Sequence, residues 1–287
     1  MAGEVWQVGD VKISRVVEIE ATGGMSRIIP DATRERVQEI RWLYPHFASE
    51  EGRMRGSIHA LIVQAPSCTV IVDTCIGNDK ARGVKAWNML QTSFLDDISA
   101  AGYPRESIDT VLCTHLHVDH VGWNTMLIDG QWVPTFPNAR YLMGETEFNH
   151  WNANAALREG QTEIMQDSVL PILDAGLVDL VSSEHEICPE VKLTSTPGHT
   201  PGHVSVVIES GGERALITGD FLHHPCQFVH PEWSSSPDSD RPQAIATRLA
   251  MYERLADTPT LVIGTHFATP TAGYLKRDGK AYRLDVA

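Results

Sequence analysis

Residues 111–122 read Val-Leu-Cys-Thr-His-Leu-His-Val-Asp-His-Val-Gly, an apolar run that ends in three imidazoles and one carboxylate. Neutral imidazole and carboxylate are ligands of zinc and of related divalent metals. Because residues 110–113 are typical of a short buried strand, His115 and His117 can project to the same side just beyond its end and hold one ion. The alternative, a loop of solvated histidines, is disfavoured by the Asp-His pair that follows.

That pair, Asp119 and His120, comes from the turn after the first two histidines. The loop therefore offers four ligands within six residues. A catalytic zinc ion takes three protein ligands and keeps one position for water. The stretch thus indicates two metal ions rather than one.

The whole chain has the size and composition of a globular protein with one large domain. It has 287 residues, of which 42% are hydrophobic, and we expect a single domain over residues 1–287. Its formal net charge of -14 disfavours nucleic acid and anionic membranes as partners, since both require a basic surface. We expect the substrate to be a small, neutral molecule.

The cysteines and the apolar runs indicate a cytoplasmic location. The cysteines are odd in number and form no Cys-x-x-Cys pair, which is typical of buried, reduced thiols rather than a disulfide framework. No apolar run approaches the length of a membrane span, and the first residues lack the basic start of a signal peptide. The cysteines are Cys68, Cys75, Cys113, Cys188 and Cys226.

Strands in groups, with helices outside them, predict sheets packed between helical layers. Residues 1–56 are predicted as an N-terminal strand, a helix and a loop that flanks the active site, the loop being either an active-site wall or a surface connection. Residues 225–242 are rich in proline and serine and form a candidate lid loop. The predicted helices cover residues 31–43, 92–102, 144–152, 161–174 and 243–256.

Three further predicted strands also end in a metal-binding residue type. These residues are His199 after the strand over 191–196, Asp220 after the strand over 215–218 and His266 after the strand over 261–264. One such residue alone is more often a cap or a loop residue. Four strand ends that present His or Asp in one chain indicate a shared site.

The ordered motif His115-x-His117-x-Asp119-His120, followed by His199, Asp220 and His266, resembles the metallo-β-lactamase superfamily over residues 58–267. The resemblance implies an α/β fold of the four-layer αββα sandwich type. In this fold two mixed β-sheets pack face to face, with helices outside, and a dinuclear site lies between the sheets.

The resemblance also divides the candidate ligands between two ions. It implies that His115, His117 and His199 bind the first metal, that Asp119, His120 and His266 bind the second, and that Asp220 bridges them. Asp73, at a strand end, is implied to be a partner of a ligand histidine. His203 is expected to be a structural histidine rather than a ligand.

The residue at the bridging position reduces the number of activities that the resemblance allows. Zinc β-lactamases of the superfamily carry Cys or Ser where this chain has Asp220, which disfavours β-lactam hydrolysis. Nucleases of the superfamily would need a basic face, and flavodiiron proteins usually have Glu in place of His117 together with a flavodoxin domain. The remaining group contains lactonases, including those that act on acyl-homoserine lactones, methyl-parathion-type organophosphate hydrolases, and thioester hydrolases such as glyoxalase II.

Within that group, the stretch Gly-Asp-Phe-Leu-His over residues 219–223 resembles the methyl-parathion-hydrolase-like branch. There a histidine follows the bridging aspartate by three positions, as His223 does here. Several acyl-homoserine lactonases share the metal motif but carry Tyr at this position. Lactones stay open as substrates, because a histidine can also donate a hydrogen bond to an oxyanion.

We therefore expect a dinuclear-metal hydrolase of small neutral esters, above all lactones or aryl esters, with promiscuous hydrolysis of organophosphate triesters. The cofactors are two divalent metal ions, zinc in the first place and cobalt, manganese or iron as alternatives. Zinc-bound water can have a pKa of about 7, which suits formation of hydroxide at neutral pH. In this hypothesis a metal-bridging hydroxide attacks, His223 assists the oxyanion, and Asp119 or Asp220 carries the proton to the leaving alkoxide.

Two other functions stay open. One is a glyoxalase II-like thioester hydrolase, and the other is a non-hydrolytic, iron-dependent oxidoreductase of the persulfide dioxygenase type. Persulfide dioxygenases use a single iron and leave part of the second site unused, whereas this chain has every residue of that site. A homodimer is implied only by the resemblance.

Overall fold

The computed structural model describes residues 3–286, and these form two seven-stranded sheets and a separate two-stranded hairpin. The strands are β1 (Val5–Val8), β2 (Val11–Thr22), β3 (Arg55–Gln64), β4 (Thr69–Val72), β5 (Thr110–Cys113), β6 (Thr125–Ile128), β7 (Gln131–Pro134), β8 (Arg140–Gly144), β9 (Val178–Val181), β10 (Glu186–Cys188), β11 (Val191–Ser195), β12 (Val204–Ser210), β13 (Glu213–Ile217), β14 (Leu261–Ile263), β15 (Ala272–Asp278) and β16 (Ala281–Val286). The helices are α1 (Arg34–Glu39), α2 (Phe94–Ala100), α3 (Glu145–Asn154), α4 (Gln161–Ile164), α5 (Leu170–Asp174), α6 (Cys226–Val229) and α7 (Arg241–Leu255).

Both sheets are mixed. The first has the order β1-β2-β3-β4-β5-β8-β9, and its pairs from β4 to β9 are parallel while the others are antiparallel. The second has the order β10-β11-β12-β13-β14-β15-β16, and its one parallel pair is β13 with β14. The parallel pairs matter for the site, because parallel strands end at the same edge of a sheet.

Alternating side chains along the strands divide the core into layers. On β3, Leu61 and Val63 pack between the two sheets, while Ala60 and Ile62 face the helices outside the first sheet. Since successive residues of a strand point to opposite faces, a strand buried on both faces is apolar throughout. The two mixed sheets therefore pack face to face, and the predicted four-layer αββα sandwich is confirmed.

Helices cover the outer face of each sheet. The first sheet is covered by α2, α3, α4 and α5, which contribute aromatic and aliphatic side chains such as Phe94 and Trp151 to one core cluster. The second sheet is covered by α1, α6 and α7, with Phe228 and Tyr252 in another cluster. Within residues 3–286, no helix is long and apolar enough to cross a membrane.

Two predicted helices are interrupted. The helix predicted over residues 161–174 contains a π-helical turn, Met165–Val169, between α4 and α5. Pro171 explains the break, because proline has no N–H to donate to the carbonyl of Asp167 and its ring would clash there. That carbonyl instead accepts hydrogen bonds from Lys80 Nζ, at 3.2 Å, and from Thr125 Oγ1.

The other interrupted helix lies in the N-terminal region. The helix predicted over residues 31–43 ends at Glu39, because Ile40 leaves helical geometry with φ -88° and ψ 76°, and a 3-10 turn, Arg41–Leu43, follows.

The single domain predicted over residues 1–287 stays a prediction, and residues 1, 2 and 287 lie outside the described part.

Candidate metal centre

The first three candidate ligands form a group that could hold a metal ion. His115 and His117 follow β5, and His199 follows β11, so both sheets contribute. Each offers one ring nitrogen, and these nitrogens lie within 4.8 Å of one another. His199 Nε2 lies 2.9 Å from His117 Nδ1. We call this group the first triad.

A second group of the same kind lies beside it. Asp119 and His120 come from the turn after β5, and His266 comes from the loop after β14. Their donor atoms also lie within 4.8 Å of one another. Nε2 of His120 is 3.6 Å, and Nε2 of His266 is 3.7 Å, from the carboxylate of Asp119. We call this group the second triad.

Asp220, which follows β13, lies between the triads. Its Oδ2 is 3.7 Å from His115 Nε2 and 3.4 Å from His199 Nε2 in the first triad. Its carboxylate is also 3.4 Å from His120 Nε2 and 3.2 Å from His266 Nε2 in the second. A single carboxylate is therefore within reach of both candidate metal positions.

The donor set fits divalent cations. Nε2 of His115, Nε2 of His120 and Oδ1 of Asp220 are buried and have no hydrogen-bond partner. Buried polar atoms nearly always have a partner in native proteins, and these three residues form one further group whose donors lie within 4.8 Å. Imidazole nitrogen and carboxylate oxygen are donors suited to zinc and related metals, so cations are the natural partners of these atoms.

The outward ring nitrogens of the histidines are held by hydrogen bonds. Nδ1 of His120 is 2.8 Å from Asp73 Oδ2, the contact that the resemblance implies for Asp73. Nδ1 of His199 is 2.9 Å from Asp238 Oδ1, and Nδ1 of His266 is 2.9 Å from the carbonyl of Ser57. Such partners fix the ring orientation and make the inward nitrogen a better ligand.

Comparison with known proteins agrees with this geometry. A family model described as Metallo-beta-lactamase superfamily matches residues 53–266, about three quarters of the chain. The chain belongs to the metallo-beta-lactamase superfamily.

Similar proteins of known description include a lactonase and two solved hydrolase structures. The N-acyl homoserine lactonase of Bacillus thuringiensis is 31% identical over 113 residues, which cover 39% of this chain and 38% of the lactonase. The match thus spans little more than a third of that relative.

The solved structures resemble the whole fold. The crystal structure of hydrolase AbOPH has a TM-score of 0.82 and 26% identity, and the alignment covers 100% of this chain and 98% of AbOPH. AidC, described as a dizinc quorum-quenching lactonase in complex with a product, has a TM-score of 0.81 and 20% identity over 100% and 97% of the two chains. At that identity the likeness to AidC shows the fold alone.

In this superfamily member the imidazoles of the two triads have pKa values shifted in opposite directions. Burial lowers the pKa of all three imidazoles of the first triad below the usual value, and neighbouring histidines lower it further, although Asp238 and Asp220 oppose the shift at His199. Burial would also lower the pKa of the two imidazoles in the second triad, but the nearby carboxylates raise it, to about 9 for His266. Burial would raise the pKa of Asp220, but the charges of His266 and His120 hold it well below its usual value. Asp220 therefore stays ionised, as a metal ligand must.

His203 stabilises the backbone at Asp220. Its Nδ1 is 3.0 Å from the carbonyl of Thr196, and its Nε2 accepts the backbone N–H of Asp220 at 2.7 Å. Gly219 has a φ of +57°, and a Cβ there would lie 2.5 Å from His203 Nε2. Glycine is thus required before Asp220, and His203 has the structural position that the sequence predicts.

His223 is buried next to the triads. Its Nε2 lies 3.1 Å from Asp220 Oδ2, and its ring stacks on that of His266 with centroids 5.7 Å apart. Its Nδ1 is buried without a hydrogen-bond partner. The structure therefore brings His223 to the reacting region and leaves one ring nitrogen unpaired.

The segment over residues 225–242, predicted as a candidate lid, packs against the site. Asp238 reaches His199 from this segment, and its carboxylate also accepts the N–H and the hydroxyl of Ser235. Trp233 is buried, and Arg248 of α7 donates to the carbonyl of Pro231 at 2.5 Å. That this segment closes over the site as a lid stays a prediction. The structure shows that it holds His199 in place through Asp238.

Sequence reasoning missed Asp238 and Arg158. The guanidinium of Arg158, in the loop between α3 and α4, contacts Nε2 of His117 and lies 5.4 Å from the ring centre of Trp151. Neither residue belongs to a motif or follows a strand, so no sequence signal marks them. Both contacts depend on loops whose path is set by the tertiary packing.

Proposed function

We propose that this chain is a dinuclear-metal hydrolase of small neutral esters, with lactones as the first substrate class and aryl esters as the second. The observation that carries the proposal is the complete pair of triads with one carboxylate, Asp220, in reach of both. The similarity to an N-acyl homoserine lactonase over 39% of the chain supports lactones as the class. Weaker hydrolysis of organophosphate triesters is part of the proposal.

The first triad would hold one ion, the second triad the other, and Asp220 would contact both. Zinc is the proposed metal, with cobalt, manganese or iron as alternatives. When bound, two such ions supply a water acidic enough to react at neutral pH and a positive field for a developing oxyanion.

The chain's own residues then have separate tasks. Asp73 and Asp238 fix the rings of His120 and His199. The carboxylates of Asp119 and Asp220 can accept the proton of the attacking water and pass it to the leaving alkoxide. His223 can donate a hydrogen bond to the oxyanion from a buried position, where such a bond is strong. No covalent intermediate with the protein is required.

A hydrolysis panel on metal-loaded protein tests this proposal. The panel contains acyl-homoserine lactones, aliphatic lactones, aryl esters, a paraoxon-type phosphotriester, S-lactoylglutathione and nitrocefin. We expect turnover of lactones or aryl esters, weaker turnover of the phosphotriester, and none of nitrocefin. Turnover confined to S-lactoylglutathione would assign the chain to thioester hydrolysis instead, and oxygen consumption with a single bound iron would overturn the proposal.

A further inference from the structure

Two thiols face each other between the sheets, away from the metal centre. Sγ of Cys68 lies 2.8 Å from Sγ of Cys188, although 120 positions of sequence separate the two residues. Cys68 lies in the turn between β3 and β4, and Cys188 is the last residue of β10, the edge strand of the second sheet. The contact therefore joins the first sheet to the second.

The pair lies at the opposite end of the strands from the site. Cys68 directly precedes β4, whereas Asp73 directly follows it and binds His120. Four strand residues at about 3.3 Å each separate these ends by roughly 13 Å or more. A change at the pair is therefore not transmitted to the candidate ligands by direct contact.

We propose that Cys68 and Cys188 form a reversible disulfide when the protein meets a peroxide, and that this bond joins the two sheets. The inference is independent of the hydrolase function. The two sulfur atoms are not bonded to each other in the structure. The two sulfur atoms need to approach by less than 1 Å to reach the bonding distance of about 2.05 Å.

Hydrogen peroxide would oxidise the two thiols to a disulfide in two steps. The sulfur of Cys68 attacks one oxygen of hydrogen peroxide, the O–O bond breaks, and Cys68 sulfenic acid and one water are formed. The sulfur of Cys188 then attacks the sulfenic sulfur, the S–S bond forms, and the hydroxyl group leaves as a second water with the thiol proton. Two thiols lose two electrons in total, and one peroxide gains them.

Solvent exposure distinguishes Cys68, and with it this pair, from the other three cysteines. Cys68 is half-buried, whereas Cys75, Cys113 and Cys226 are at most 1% exposed. Burial and the neighbouring Cys188 raise the pKa of Cys68 to about 12, so little thiolate is present at neutral pH. Because the thiolate is the nucleophile, we expect the bond to form slowly rather than as a fast peroxide response.

The bond should stabilise the fold. It closes a loop of about 120 residues, and long loops gain most from a cross-link in the chain-entropy account. It also ties an edge strand to the neighbouring sheet, which opposes opening of the sandwich. We expect the apparent Tm to rise by roughly 5 °C or more on oxidation and to fall again on reduction.

The test uses the metal-loaded protein, first reduced, then treated with hydrogen peroxide under native conditions, then unfolded, alkylated and digested. Mass spectrometry should find the Cys68 and Cys188 peptides joined, and thermal melting should show the rise in Tm. Cys68→Ser and Cys188→Ser should each abolish both effects. Cys226→Ala is the matched control, and it should still form the bond.

Three outcomes would overturn the inference. One is oxidation that stops on Cys68 as sulfinic acid while Cys188 stays alkylatable. Another is a disulfide that involves any other cysteine. The third is a Cys68–Cys188 bond that leaves the Tm at the value of the reduced protein. Ester hydrolysis should be unchanged by oxidation, and it is measured separately, so failure here is distinguishable from failure of the proposed function.

Discussion

The two triads are neighbours, yet they differ in composition and in what holds them. The first triad consists of three imidazoles, and its outer contacts are Asp238 on His199 and Arg158 on His117. The second triad contains a carboxylate, and Asp73 anchors its His120 from the end of β4. The first is thus an all-imidazole donor set that relies on loops, and the second combines imidazoles with a carboxylate and is built on a strand end. We expect the two positions to differ in affinity and in their response to pH.

Removing the shared carboxylate should have the largest effect, because it acts on both triads. Asp220→Asn keeps the shape of the side chain but removes its charge. We expect kcat to fall by roughly a thousandfold or more and the bound metal to fall below two ions per chain. Steady-state kinetics and elemental analysis of the same sample measure both. Full activity with two ions still bound would show that Asp220 does not link the triads.

Asp238→Asn and Asp73→Asn form a matched pair that separates the triads. Each removes the charge of one carboxylate that orients one histidine, and such changes typically cost roughly 10–100-fold in metal affinity or activity. We expect Asp238→Asn to weaken the position at the first triad and Asp73→Asn the position at the second. Competition with a chelator, followed by cobalt absorption spectra, assigns the affected position. If both variants weakened the same position, the division into two triads would be wrong.

His223→Phe tests the oxyanion role with a smaller expected effect. One hydrogen bond to a developing charge is worth about 1.5 kcal/mol, so we expect kcat to fall roughly tenfold with little change in KM. The stacked neighbour His266 and the metal content should be unaffected. An unchanged kcat on every substrate of the panel would remove His223 from the mechanism.

The smallest effect is a pH dependence of stability in metal-free protein, with opposite signs for the two triads. The imidazoles of the first triad have lowered pKa values, so the folded state loses stability as pH falls below about 6.5, where the unfolded chain takes up protons. His266 has a pKa raised to about 9, so its contribution is present below about 6.5 and is lost as pH rises towards 9.

The metal-free protein should therefore have its highest Tm near pH 6.5, with losses of a few degrees on either side. Thermal melts in the presence of a chelator, from pH 5 to pH 9, measure this profile. His266→Gln should reduce the alkaline loss and leave the acid side unchanged. A Tm that rises steadily through pH 9 in the unsubstituted protein would contradict the raised pKa of His266.

Much of the fold could be predicted because the buried strands carry strong local signals. The strand before His115 and the strands before His199, Asp220 and His266 are apolar runs, and each has the predicted position within a few residues. Two hairpins, β6 with β7 and β15 with β16, escaped prediction. Asp129-Gly130 and Gly279 mark their turns, but the flanking strands are half-exposed and weakly apolar.

The site was predictable only where it lies in motifs. Residues that follow strand ends in a fixed order could be found, and the structure brings them together. Asp238 could not be found, because it lies in a serine- and proline-rich segment without a periodic pattern. The carboxylate of Asp238 reaches His199 only through tertiary packing. The Cys68–Cys188 contact is likewise invisible in sequence, since it depends on how the two sheets face each other.

Titration of metal-free protein with zinc, read as the initial rate of acyl-homoserine lactone hydrolysis, tests the central claim most directly. If both triads hold a cation and act together through Asp220, the rate should rise with added zinc and level off at about two ions per chain. A rate that levels off at one ion per chain, or no turnover at any zinc level, would contradict the account.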